Sequence, residues 1–145
     1  MNDLRNSVIF TCILAWFIAQ ALKVIITLVV DKRLDFRRLV GSGGFPSSHA
    51  SLVTSLATSV GLISGFDSTD FAICTVVALV VMYDASGVRR AAGQQARILN
   101  KIIEEWGKSD VIVRDKRLKE LLGHTPKEVF AGAVLGILIG LVRHL

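Results

Sequence analysis

Two of the chain's three histidines stand among residues that could put them to chemical use. His124 belongs to the run Gly123-His124-Thr125-Pro126-Lys127-Glu128. Thr125-Pro126 reads as an N-cap followed by proline at the first helical position. Glu128, four residues after His124, could reach back to orient the ring. A carboxylate held against one imidazole nitrogen fixes the tautomer and leaves the other nitrogen's lone pair outward, as a base or nucleophile. The plainer reading makes Glu128 a capping-box carboxylate at N3 and His124 an ordinary interfacial residue.

His49 ends the run Gly41-Ser42-Gly43-Gly44-Phe45-Pro46-Ser47-Ser48-His49. A glycine-rich loop feeding a helix offers free backbone N–H groups and the positive end of the helix dipole, which favour a phosphate or another anion. Gly44 contributes backbone, Ser47 and Ser48 add hydroxyls, and His49 could exchange a proton near neutral pH. Alternatively, one serine simply caps the helix while the glycines make a turn. A third cluster is Asp84-Ala85-Ser86-Gly87-Val88-Arg89-Arg90. Paired guanidinium forks suit phosphate oxygens, and Asp84 could hold their geometry; the competing role for Arg89 and Arg90 is anchorage to lipid headgroups. Lys23 lies within an apolar run, where an ionisable group is costly and faces a partner or a polar cavity unless it snorkels ~10 Å to the run's end.

The elements that must carry these residues are four apolar segments, at 8–30, 50–66, 71–83 and 129–142. The first is long enough to cross ~30 Å of hydrocarbon at ~1.5 Å per residue. Its flanks are unlike those of a cleavable signal peptide. The second is rich in Ser, Thr and Gly, which let membrane helices approach closely. The last two are short, a length also compatible with buried or re-entrant helices. Between them, 84–123 is polar, and within it Ile98, Ile102 and Trp106 recur at helical spacing over 94–106, as on an amphipathic helix. These segments predict one all-α membrane domain over 1–145: a small bundle of about four transmembrane helices with a cytoplasmic amphipathic helix between the third and fourth.

Composition agrees. The 145 residues are 52% hydrophobic and 20% charged, with mean hydropathy +0.55. That profile excludes disordered and collagen-like chains. The charge of +5 is not interleaved with aromatics as in nucleic-acid binding, and no nucleic-acid partner is expected. Cys12 and Cys74 lie in apolar runs without metal-ligand or disulfide spacing, so neither a disulfide framework nor a structural zinc site is suggested, and no cofactor is expected. With four crossings, fourteen of the seventeen Lys and Arg fall on one membrane face. By the positive-inside tendency that face is cytoplasmic and both termini lie outside. His49, His124, Arg89 and Arg90 all belong to that cytoplasmic face.

Pro46-Ser47-Ser48-His49 and His124-x-Pro126-x-Glu128 resemble motifs of the type 2 phosphatidic acid phosphatase superfamily, which includes lipid phosphatases and vanadium haloperoxidases. Gly43-Gly44-Phe45-Pro46-Ser47-Ser48-His49, Asp84-Ala85-x-Gly87-Val88-Arg89-Arg90 and Gly123-His124-Thr125-Pro126-x-Glu128-Val129 resemble its small divergent branch more closely. The likeness runs from about Gln20 to Gly140.

The resemblance implies a phosphohistidine on His124 assisted by Glu128, with His49 protonating the leaving alkoxide. Ser47 falls at the family's serine position and Ser48 at its glycine position. No metal is required in that chemistry. The chain departs from the superfamily in lacking K-x6-R-P, in having Leu118 where the third motif carries arginine, and in using Glu128 for aspartate. Lys23, Arg89 and Arg90 are the expected replacements for the missing cations, with Arg117 a weaker candidate.

The expected activity is a metal-independent phosphatase of the cell membrane, acting on a lipid phosphate such as phosphatidylglycerophosphate or phosphatidic acid, with its site toward the cytoplasm. A scaffold binding anionic headgroups is the alternative, and a transporter using Lys23 is a more distant one. Membrane lipids are expected partners. A homodimer would enlarge the limited cavity of four helices, and Gly61, Gly65, Gly132, Gly136 and Gly140 could pack helices within or between chains.

Overall fold

The computed structural model describes residues 7–32, 44–106 and 123–144. Five helices occur among them: α1 (Val8–Asp31), α2 (Ser48–Ser64), α3 (Thr69–Ser86), α4 (Val88–Trp106) and α5 (Pro126–His144). No strand occurs among the described residues. The all-α expectation holds; each helix that carries an apolar segment starts at or before it, and α1, α3 and α5 also end beyond theirs, whereas α2 stops at Ser64, short of the expected Phe66. Polar capping groups account for the extensions, because they complete helix termini without adding to hydropathy. Ser47 accepts from the Ala50 N–H at 3.3 Å to open α2, and Ser68 accepts from the Phe71 N–H at 3.2 Å to open α3. Asp84, Ala85 and Ser86 finish α3, where Ser86 Oγ donates to the Met82 carbonyl at 2.9 Å. Helix resumes at Val88 across the single residue Gly87, so 88–93, expected as polar connection, is the start of α4.

α2 is the centre of the bundle and packs on α1, α3 and α5. The distribution of side chains is inverted relative to a protein folded in water. Thr11, Lys23, Ser47, Ser48, Ser51, Ser55 and Ser59 are buried, while Phe17, Val30, Val80, Phe130 and Val142 face outward. A continuous coat of large apolar side chains is stable where the surrounding medium is itself apolar. Val8–Val30 in α1 and the stretch Thr69–Glu105, which takes in α3 and most of α4, are each long and apolar enough to cross a membrane.

Small residues let α2 and α5 approach closely. Gly132, Gly136 and Gly140 form a stripe at four-residue spacing on α5. A methyl group at Gly132 would overlap the Ser47 carbonyl, and one at Gly136 would overlap the Ser51 carbonyl and Thr54 Oγ1. These glycines therefore serve packing within one chain. Thr54 Oγ1 also reaches the Ala133 carbonyl at 3.0 Å, and Ser51 Oγ donates to the Ala15 carbonyl at 3.2 Å, tying α2 to both neighbours. At one end of the bundle Thr11 Oγ1 lies 3.1 Å from His144 Nε2, joining the start of α1 to the end of α5.

Candidate active site

The other end of the bundle gathers the residues singled out from sequence. Two backbone hydrogen bonds interlock three helix ends there. The Ser47 N–H donates to the Glu128 carbonyl at 2.9 Å, fixing the start of α2 against the first turn of α5. The His124 N–H donates to the Ala85 carbonyl at 3.0 Å, fixing the segment before α5 against the last turn of α3. Gly123 is required beside it, because a Cβ there would overlap the Arg90 backbone.

His124 is 2% exposed. Its Nδ1 lies 3.1 Å from Glu128 Oε2, and the same carboxylate oxygen accepts the Thr125 N–H at 3.0 Å. Thr125 Oγ1 accepts the Glu128 N–H at 3.4 Å, completing a reciprocal cap on α5. The capping and ring-orienting roles considered for Glu128 thus coexist in one geometry. With Nδ1–H donating to the carboxylate, Nε2 carries the lone pair. That nitrogen is buried and has no hydrogen-bond partner among the described residues. A buried polar atom left unsatisfied costs ~1–3 kcal/mol, so its persistence here is a feature to be explained.

The His49 ring stands edge-on to that of His124, with centroids 6.2 Å apart. Between them lies a cavity of about 20 Å³, lined by both histidines, Val81, Asp84, Ala85, Arg89 and Gly123. It is water-sized. Arg89 Nε donates to Asp84 Oδ2 at 2.6 Å. This pair is half exposed, contributes at most ~1 kcal/mol, and matters chiefly because it fixes a guanidinium at the cavity. Arg90 is exposed and does not line the cavity.

Lys23 is 1% exposed, and its Nζ donates to Ser48 Oγ at 3.2 Å. It comes inward on the α1 face that also buries Thr11, Ala15, Ala19 and Gln20. Ser47 and Ser48 are themselves buried, the first as the α2 cap and the second as the lysine's acceptor. Each hydroxyl oxygen thus accepts one hydrogen bond from the protein. Gly44 has φ +90, a value that favours glycine, and its backbone lies close enough to His124 to favour the charged ring. The glycines before it, the candidate Arg117 and the position Leu118, where the family's arginine is replaced, lie outside the described residues.

Desolvation lowers both imidazoles below the ordinary value of 6.5. For His124 the hydrogen bond to Glu128 opposes the fall and the Lys23 charge adds to it. For His49, His124, Arg89 and Lys23 add to it and Asp84 opposes. His49 keeps an exposed surface even so, because the groups around it dehydrate only part of the ring. Both rings therefore rest neutral at pH 7. The site combines a neutral imidazole whose buried Nε2 has no partner among the described residues, a second imidazole exposed to solvent, and the nearby charges of Arg89 and Lys23. Such an arrangement can attack an electrophile and hold negative charge. The two backbone anchors were missed in the sequence, since Ala85 carries no signal of its own.

An all-helical membrane protein with this site at one end of its bundle is the class that fold and geometry define. Residues 4–139 match a family described as the divergent PAP2 family, and the chain belongs to it. It is 41% identical to the uncharacterized membrane protein YuiD of Bacillus subtilis (strain 168), over 98% of this chain and 96% of that one. No solved structure matches.

Proposed function

We propose that this chain is a metal-independent membrane phosphatase that hydrolyses a lipid phosphomonoester through a phosphohistidine on His124. The observation that carries the reading is the His124 imidazole, which lines the cavity beside His49, is bound at Nδ1 by Glu128 and has at its buried Nε2 no partner among the described residues. In the first step Nε2 bonds to phosphorus as the bond from phosphorus to the alkoxide oxygen breaks. His49, protonated as the dianionic substrate enters, gives its proton to that oxygen. Water then attacks phosphorus, His49 takes the water's proton, and inorganic phosphate leaves as the N–P bond breaks. Glu128 stabilises the cationic ring in between. Lys23 and Arg89 supply the positive charge, while Arg90 lies further out, where it meets an arriving headgroup.

A phosphoryl group is larger than the cavity of about 20 Å³, so binding moves the exposed His49 or Arg89 outward. In the bilayer, α1, α2, α3 and α5 make four crossings with the histidines toward the cytoplasm. This orientation is supported by the sequence's charge asymmetry. Inner-leaflet phosphatidic acid and phosphatidylglycerophosphate suit that side, in the cell membrane.

The test is phosphate release from a panel of lipid phosphates by detergent-purified protein without added metal. Release is expected to vanish in His124→Ala and to fall at least ~10²-fold in His49→Ala. The small cavity of about 20 Å³ favours a second reading, a scaffold that binds headgroups without hydrolysis. Folded protein that binds anionic vesicles and releases no phosphate from any panel member would establish it instead.

A further inference from the structure

We propose that the groove between α2, α3 and α5 holds one acyl chain of the lipid whose phosphate occupies the histidine cavity. This deepens the phosphatase reading and rests on it. The groove has a volume of about 360 Å³, and its walls include Ala57, Phe66, Phe71, Leu79 and Ile137. That is the size of a small-ligand site. Thr54, at its edge, turns its hydroxyl to backbone carbonyls and leaves a methyl surface.

Continuity with the site identifies the occupant. Phe71, Thr75, Ala78 and Met82 line the groove at spacings of four, three and four residues, one face of α3. Ala85, three residues further along that face, lines the histidine cavity. Met82 packs against the buried cluster of Ala50, Ala85 and Val129, so a flexible side chain separates groove from cavity. From Phe71 to Met82 the helix rises ~16 Å at ~1.5 Å per residue.

A helix ~10 Å across can lie over such a groove but does not fill it, and cross-linking between copies tests that occupant. A single hydrocarbon chain is slender enough, and the lining is mostly apolar, with Thr75 Oγ1 a buried hydroxyl that has no partner among the described residues.

The test uses the full chain in detergent with a phosphatidate carrying a photoactivatable diazirine midway along one chain. Label is expected on Thr75, Ala78 and Leu79, displaced by unlabelled phosphatidate and not by phosphatidylcholine. Ala78→Phe should reduce that label and lower the ratio of kcat/KM for long-chain over short-chain phosphatidate about tenfold, the equivalent of about two methylenes left unburied. Leu79→Trp, at the exposed rim, provides the same comparison should Ala78→Phe not fold.

Label spread equally over the outward faces of α1 and α3, or displaced equally by phosphatidylcholine, would overturn the proposal in favour of bulk lipid contact. Cross-links between two copies would overturn it in favour of a dimer interface. Groove labelling without phosphate release would defeat the phosphatase reading alone. Phosphate release without groove labelling or chain preference would defeat the groove alone.

Discussion

The His49 and His124 imidazoles meet edge to face, with centroids 6.2 Å apart and planes inclined at 65°. His49 comes from the first turn of α2 and His124 from the residues just before α5, and the two elements are locked by the bond from the Ser47 N–H to the Glu128 carbonyl. One ring can thus attack phosphorus while the other serves the departing oxygen. The spacing depends on the close approach of α2 and α5.

Glu128→Gln should separate the carboxylate's two duties. The amide oxygen can still accept from the Thr125 N–H and from Nδ1, so the α5 cap survives, but the negative charge that stabilises a cationic His124 is lost. Turnover is expected to fall ~10²-fold with little change in thermal midpoint. Glu128→Ala should also lower that midpoint, by ~1 kcal/mol of lost cap. Phosphate release and thermal unfolding in detergent measure both.

Acidification should destabilise the fold. Both histidines have folded values below 6.5, so the unfolded chain binds more protons in the interval beneath 6.5. Their contribution is fully present above 6.5 and is lost as pH falls through that value toward the depressed ones. Thermal midpoints should decline on acidification below 6.5, and less steeply in a His49→Asn, His124→Asn double variant. The profile of kcat/KM, which needs neutral His124 and protonated His49, should peak on the acid side of 6.5.

Lys23→Met should leave a folded protein, because removal of a buried charge offsets the donor lost at Ser48. Phosphate release should fall by ~10²-fold or more. Since the Lys23 charge lowers both imidazoles, the peak of kcat/KM should also move to higher pH. Unchanged turnover and an unmoved profile would remove Lys23 from the site.

Gly136→Val tests the helix contact that sets the histidine spacing. The added side chain would meet the Ser51 carbonyl and Thr54 Oγ1, at a cost of ~1–3 kcal/mol in overpacking, and should abolish turnover from a position remote from the phosphate. Val142→Ala, on the outward face, should change neither.

Local chemistry was legible in the sequence where it involves neighbours along the chain. The Thr125-Pro126-x-Glu128 start of α5, its reach back to His124, and the pairing of Asp84 with Arg89 are all contacts within five residues. Contacts across the bundle left no local mark. Ser48 reads as a loop donor until Lys23, twenty-five positions earlier, is found against it. The spacing of Gly132, Gly136 and Gly140 was visible, but whether it served one chain or two depended on Ser47, Ser51 and Thr58 lying opposite. Helix lengths were underestimated at α3 because its last turn is polar and therefore silent in a hydropathy reading.

The central claim is a covalent phosphoryl group on His124, and the direct measurement is its capture. Protein mixed with phosphatidate labelled in its phosphate is quenched in alkali, where phosphohistidine survives, and the modified peptide is sequenced. The account predicts label on His124, absent in His124→Ala and accumulating when His49→Ala slows its hydrolysis. Phosphate release with no label on His124, in the native chain and in His49→Ala alike, would contradict it.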